Sequence, residues 1–233
     1  MATVSADISS ITKDLVEAGI DSITKDEFLK NIPVVNTVHS LIKIGTSIRE
    51  QIFIRKIIKF IFQIREIPLE IRNEYINNLE EKDKRQEVGE KILVIIEKID
   101  DIDKAEILGK LFRAHILGKF GPATFLRLSY IISNSYLHDL VLLKNGFDNE
   151  ARVATYYFSQ QSYDSFYRIG LASSKIIPDS SSIQQRERYG KNGPIDYKIE
   201  YKLKNDALII AKEAFDLNWI ESTYSIYHES NLE

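Results

Sequence analysis

The chain has 233 residues, 44% of them hydrophobic and 28% charged, with 31 basic against 34 acidic side chains for a net charge of −3. That length gives one domain or one plus a small appendage, and that composition excludes a disordered chain. Zero cysteines exclude disulfides, zinc ribbons, iron–sulfur clusters and thiol catalysis, and fit a reducing cytoplasm.

The opening MATVSADISSITKDLVEAG carries acids and has no basic stretch followed by an apolar core, so it does not read as a signal peptide. Residues 8–31 read as helix, with Ile8, Ile11, Leu15 and Ala18 at helical spacing. Thr24 and Glu27 have capping-box form, and Pro33 marks a break or a new first turn. From Pro33 to about Arg65, Val34, Val38, Leu41, Gly45, Ile48 and Ile52 form one stripe. Nine of the fourteen residues 51–64 are Ile or Phe, so this helix is apolar around most of its circumference. Arg55, Lys56, Lys59 and Gln63 form a narrow polar strip on it, and the charges interrupt any membrane-spanning run.

Pro68 suits the first turn of the next helix, with Ile71, Tyr75, Ile76 and Leu79 inward. Residues 80–87 read as a charged connection, followed by a helix bearing Val88, Ile92, Ile95, Ile96 and Ile99. Asp103 opens a further helix with Leu108, Leu111, Phe112, His115 and Ile116 in its stripe and Gly118 at its end. Pro122 starts a helix with Phe125, Leu128, Ser129 and Ile132 inward, continued by Leu137, Leu140 and Val141 toward Gly146. Residues 155–167 hold a run of aromatics in a helix pattern that ends near Gly170. Residues 173–178 read as a short strand, 179–194 as a loop closing on a Gly190–Pro194 turn, and 195–204 as a half-buried antiparallel strand. Asn205 or Asp206 caps a last helix through Ala207, Leu208, Ala211, Ala214 and Phe215. The fold expected is mainly α: a multi-helix bundle over 1–146, then a small winged-helix-like α+β part over 147–233 packed on the bundle.

The candidate chemistry is sparse. The histidines His39, His115, His138 and His228 are scattered, and His39 and His115 fall on or beside apolar stripes as packing residues. No phosphate loop, dinucleotide fingerprint or nucleophile elbow occurs, so neither a cofactor nor a metal is expected. Pro178-Asp179 followed by Glu200-Tyr201-Lys202 has the spacing of a metal-dependent nuclease motif, in which Asp179 and Glu200 hold the metal and Lys202 positions water. Glu200 and Lys202 also sit where an alternating strand simply faces solvent. Charge gathers in blocks, at +3 over 49–66, −4 over 80–106 and +3 over 186–204. Arg186, Arg188 and Lys191 are the candidate nucleic-acid contacts, and Arg55, Lys56 and Lys59 the candidate membrane or anion contacts. Tyr156, Tyr157, Tyr163 and Tyr167 are the candidate partner surface, because the helix carries more aromatics than one core-facing stripe needs.

Three stretches carry a resemblance: Glu87-Val88-Gly89-Glu90-Lys91, then Ile107-Leu108-Gly109-Lys110-Leu111-Phe112-Arg113-Ala114, then Phe125-Leu126-Arg127-Leu128-Ser129. They resemble bacterial helical proteins similar to the abortive-infection alpha type. The tail of that group, a helix ending in a hydrophobic-Gly-Leu step, a strand and a closing helix, reads here as Ile169-Gly170-Leu171 and Tyr201-Lys202-Leu203. Lys204 and Asp206-Ala207 stand where the group has threonine and glycine. The resemblance covers about residues 30–217, implies a role in phage defence and transfers no catalytic residue. The function expected is therefore a non-enzymatic helical binding or effector protein of phage defence that acts through protein–protein contacts. Its partner is an unidentified protein or a second copy of the chain. A membrane-active effector using the 41–65 helix, a winged-helix DNA-binding regulator and, last, a nuclease are the alternatives. The location expected is the cytoplasm, peripheral to the inner membrane face if the membrane alternative holds.

Overall fold

The computed structural model describes residues 47–78, 82–148, 158–189 and 195–217. The expected helix over 8–31, the Thr24 capping box, Pro33, His39, Leu79, Tyr156, Tyr157, the Gly190–Pro194 turn with Lys191, and His228 lie outside these residues. The described chain is mainly helical, with a two-stranded antiparallel sheet near its C-terminal end. It divides into two compact units at Leu137/His138, ahead of the expected 146/147 boundary.

The first described helix, α1 (Ile48–Ile64), is started by a reciprocal cap. The Ser47 hydroxyl accepts from the Glu50 amide and the Glu50 carboxylate accepts from the Ser47 amide. The single helix expected from Pro33 to Arg65 is thereby corrected, because Ser47 is extended and a helix begins after it. Next come α2 (Leu69–Asn78) and α3 (Lys82–Lys98). The charged connection expected at 80–87 is also corrected, since it is helical from Lys82 onward. In α4 (Ile102–Ile116) the cap is Asp101, whose carboxylate accepts from the Asp103 amide at 2.8 Å, so the start lies two residues before the expected one. Pro122 opens α5 (Pro122–Asn134) as expected, and Phe125, Leu128, Ser129 and Ile132 are all buried.

The core of this unit is the pairing of α1 with α4. Ile57, Phe60, Ile61 and Ile64 are buried, as are Leu108, Leu111 and Phe112, and Phe60 and Phe112 stack at 5.5 Å. Gly109 permits the approach: a Cβ there would lie 2.6 Å from the Phe60 carbonyl oxygen. α5 closes on α4 through Phe125, 5.1 Å from Phe112. His115 is the packing residue its position predicts, with Nδ1 on the Phe120 carbonyl at 2.9 Å and Nε2 on the Tyr75 hydroxyl at 3.4 Å. The α4 helix ends at Gly118, whose φ of 73° lets the Lys119 amide turn back to the Ala114 carbonyl.

The helix expected to run on to Gly146 is interrupted at extended Ser135, and α6 (Leu137–Asp148) follows. Phe158 lies edge-on to Phe147 at 6.1 Å and to Phe166 at 5.0 Å, and a Cβ on Gly146 would overlap its ring. Ser159 caps α7 (Gln160–Arg168), and Gly170, at φ 86°, turns the chain into β1 (Ala172–Pro178). The loop expected at 179–194 is corrected: it holds α8 (Ser180–Tyr189), because the Asp179 carboxylate accepts from the Ser181 amide at 3.1 Å and starts a helix. Then β2 (Tyr197–Leu203) pairs antiparallel with β1, from Ala172 opposite Leu203 to Pro178 opposite Tyr197. The closing helix, α9 (Asn205–Phe215), is preceded by Lys204, so the expected cap at Asn205 or Asp206 is corrected by one or two residues.

Candidate functional site

Among the described residues, an exposed apolar row lies on the β1–β2 ribbon. Opposed residues of an antiparallel pair share a face. One face therefore carries Ala172 and Leu203, then Ser174 and Tyr201, then Ile176 and Ile199, then Pro178 and Tyr197. The other carries Ser173 and Lys202, Lys175 and Glu200, Ile177 and Lys198. At the root, Ala172 and Leu203 are buried and α7 packs on both strands. Beyond the root the apolar row continues into solvent, with Ile176 70% exposed, Ile199 51% and Tyr197 62%. The strand expected to be half-buried is thus exposed over most of its length. Alternation fixes which side chains share a face, but not whether anything covers that face.

Tyr163 and Tyr167 adjoin this surface. The Tyr163 and Tyr201 rings stack at 5.6 Å and 8°, and Tyr167 meets Tyr201 edge-on at 6.1 Å. The Tyr201 hydroxyl donates to the Asp164 carboxylate at 2.5 Å, and that bond holds its phenol above the usual value. Burial raises the Tyr163 phenol as well. The stacked Tyr163 and Tyr201 rings present flat faces with few rotamers to lose on contact. Tyr201, Tyr197, Ile199 and Ile176 are the members that sequence reasoning missed. For the three on β2 the signal is the YKIEYKL alternation, and Ile176 lies in the short strand opposite.

The other candidate residues are not brought together. Lys56 is 7% exposed, so the expected solvent strip of Arg55, Lys56 and Lys59 is corrected. The Lys56 ammonium donates to the Ile99 carbonyl just past the α3 C-terminus, where a cation opposes the helix dipole, and burial lowers its pKa. Lys59 bridges Asp103 at 2.8 Å and Glu106 at 3.1 Å; its hydrogen bond to Asp103 raises its pKa. Arg49 meets Glu97 at 3.0 Å, and Arg113 pairs with Glu66. The basic 49–66 block and the acidic 80–106 block are therefore partners of one another, drawn together by the packing of α1 on its neighbours. Arg55 remains exposed.

Asp179, Glu200 and Lys202 do not converge. Asp179 caps α8, and its amide donates to the Asp196 carbonyl at 2.7 Å. Asp196 is four residues from Glu200 along an extended chain, about 14 Å at ~3.4 Å per residue. Glu200 lies opposite Lys175, and Lys202 opposite Ser173. An open depression of about 440 Å³ is lined by these four residues with Ser174 and Tyr201. Among the described residues no three His, Cys, Asp or Glu side chains are grouped to hold a metal ion. Arg186 and Arg188 lie two positions apart on α8, about 200° around the helix, and do not share a face. No protein-family model, curated protein or solved structure matches the chain.

Proposed function

We propose that the protein is a non-enzymatic binding protein of bacterial phage defence that acts through protein–protein contacts made by the apolar face of its β1–β2 ribbon. The observation that carries this reading is the unbroken row Tyr163–Tyr201–Ile199–Ile176 with Tyr197, anchored at the ribbon root and open to solvent beyond it. A contiguous exposed apolar patch rimmed by charge marks an interaction site, and tyrosine-rich patches are enriched at interfaces. The role in phage defence rests on the resemblance of the helical and tail motifs.

The membrane alternative draws less support. Ile54, Ile57, Phe60, Ile61 and Ile64 are buried in α1, and Lys56 points inward with them. No helix among the described residues is long and apolar enough to cross a membrane. The test is a phage-plating assay on bacteria expressing the parent or an Ile176→Ser, Ile199→Ser double variant. Protection by the parent that is lost in a normally folded double variant is the expected result. Equal protection by both proteins would remove the ribbon face from the mechanism.

A further inference from the structure

The ribbon also has an open edge, and the edge carries different information from the face. β2 pairs only with β1 among the described residues. The Lys204 amide donates to the Leu171 carbonyl, and the Asp196 carbonyl accepts from the Asp179 amide. Asp196, Lys198, Glu200, Lys202 and Lys204 thus turn their main-chain groups toward β1. By the alternation of an antiparallel ladder, Tyr197, Ile199 and Tyr201 turn theirs to the open side. Such an edge is a template for another strand. The β1 edge is blunted where it ends, since Pro178 has no amide hydrogen to donate.

We propose that the occupant of the β2 edge is β2 of a second copy of this chain, paired antiparallel about a two-fold axis at Ile199. Written against itself in that register, residues 196–202 (DYKIEYK) set Asp196 opposite Lys202, Tyr197 opposite Tyr201, Lys198 opposite Glu200 and Ile199 opposite Ile199. Every charge meets its opposite and every aromatic meets an aromatic. The pairs Tyr197–Tyr201, Ile199–Ile199 and Tyr201–Tyr197 join residues whose main-chain groups are open, and each exchanges two hydrogen bonds.

Charge selects this register over its neighbours. Moving the axis to Lys198 sets that lysine on itself and Asp196 on Glu200. Moving it to Glu200 sets that carboxylate on itself and Lys198 on Lys202. Like charges directly opposite each other are destabilising. The isologous result is a four-stranded sheet in the order β1, β2, β2, β1. On one face Ile176 and Ile199 of both copies make a row of four isoleucines. On the other, Glu200 lies between its own Lys175 and Lys198 of the second copy.

This pairing uses the edge of the ribbon and its charged face, so it stands or falls apart from the docking role of the apolar face. Sedimentation equilibrium of the full chain tests it. The parent is expected to dimerise, and Glu200→Lys and Lys198→Glu each to weaken the dimer by about tenfold or more. An equimolar mixture of the two variants is expected to recover the parent affinity. Positions 198 and 200 are then both basic in one copy and both acidic in the other, so each cross-strand pair again joins opposite charges. The recovery also excludes misfolding as the cause of the single losses. A parent that stays monomeric up to about 100 µM, a dimer indifferent to both variants, or a mixture that fails to recover would each overturn the proposal. A monomeric parent that still protects in the plating assay would remove the dimer and leave the contact role of the apolar face standing.

Discussion

The α1–α4 pair and the β1–β2 ribbon are both built from isoleucine, lysine and aromatic residues, yet they use them in opposite ways. In α1, lysines are drawn to carboxylates and a helix end, and Ile and Phe close against α4. In the ribbon the same residue types stay in water: α7 packs on both strands and Ala172 and Leu203 are buried at the root, while Ile176, Tyr197 and Ile199 beyond it are exposed. A two-stranded ribbon is marginal by itself, so its order derives from the anchored end. Composition therefore does not separate buried from exposed segments in this chain; packing does.

The largest effect expected is in the helical core. Phe112→Ala removes a ring 1% exposed that touches Phe60 and Phe125, and should cost about 3–5 kcal/mol in urea unfolding. Alkaline titration comes next. Burial pushes the Tyr75 phenol up to about 12, so the folded state holds this proton more tightly than the unfolded chain. Stability from that difference is complete below pH ~10 and lost as pH rises through about 12. The loss should be about 2 kcal/mol, allowing for partial solvent screening. Tyr75→Phe should flatten the denaturation curve over this window, and an unchanged curve would discard Tyr75 as its source.

The two close-packed glycines sharpen the comparison between the units. Gly109→Ala drives a methyl onto a backbone carbonyl and should destabilise by ~1–2 kcal/mol despite the better helix propensity of alanine. Gly146→Ala meets the far end of the Phe158 ring first, a side chain and not backbone, and should cost less. The reverse order of unfolding midpoints would show that the Phe158 ring is the more firmly held. The smallest effect belongs to the ribbon tip, where Ile199→Ala should change stability by no more than about 0.5 kcal/mol. A loss resembling that of Phe112→Ala would mean that the tip is covered after all.

Much of the local structure is legible along the chain. Pro122 and Gly118 bound their helices as expected, the Leu108–Phe112 stripe faces inward, and strand alternation at 197–203 yields a strand paired with 172–178. These features depend on neighbours within a few residues, where spacing and side-chain chemistry suffice. Ser47, Asp101 and Asp179 are caps whose side chains compete with several nearby candidates for the same amides, so element starts shifted by a few residues. The candidate site was half visible, with Tyr163 and Tyr167 singled out but not the strand residues they join.

What the sequence by itself determined is the helical class, the strand pair and the side on which each residue of that pair lies, because these follow from periods of 3.6 and 2. Only the tertiary structure decided that Lys56 points inward and that Ile199 points into water. The first depends on where the carbonyl of Ile99 comes to rest, forty-three residues away, and the second on the extent of α7 beside the ribbon. Neither distance is encoded in local spacing, since both are set by which elements are left to cover a face after the rest of the chain has packed.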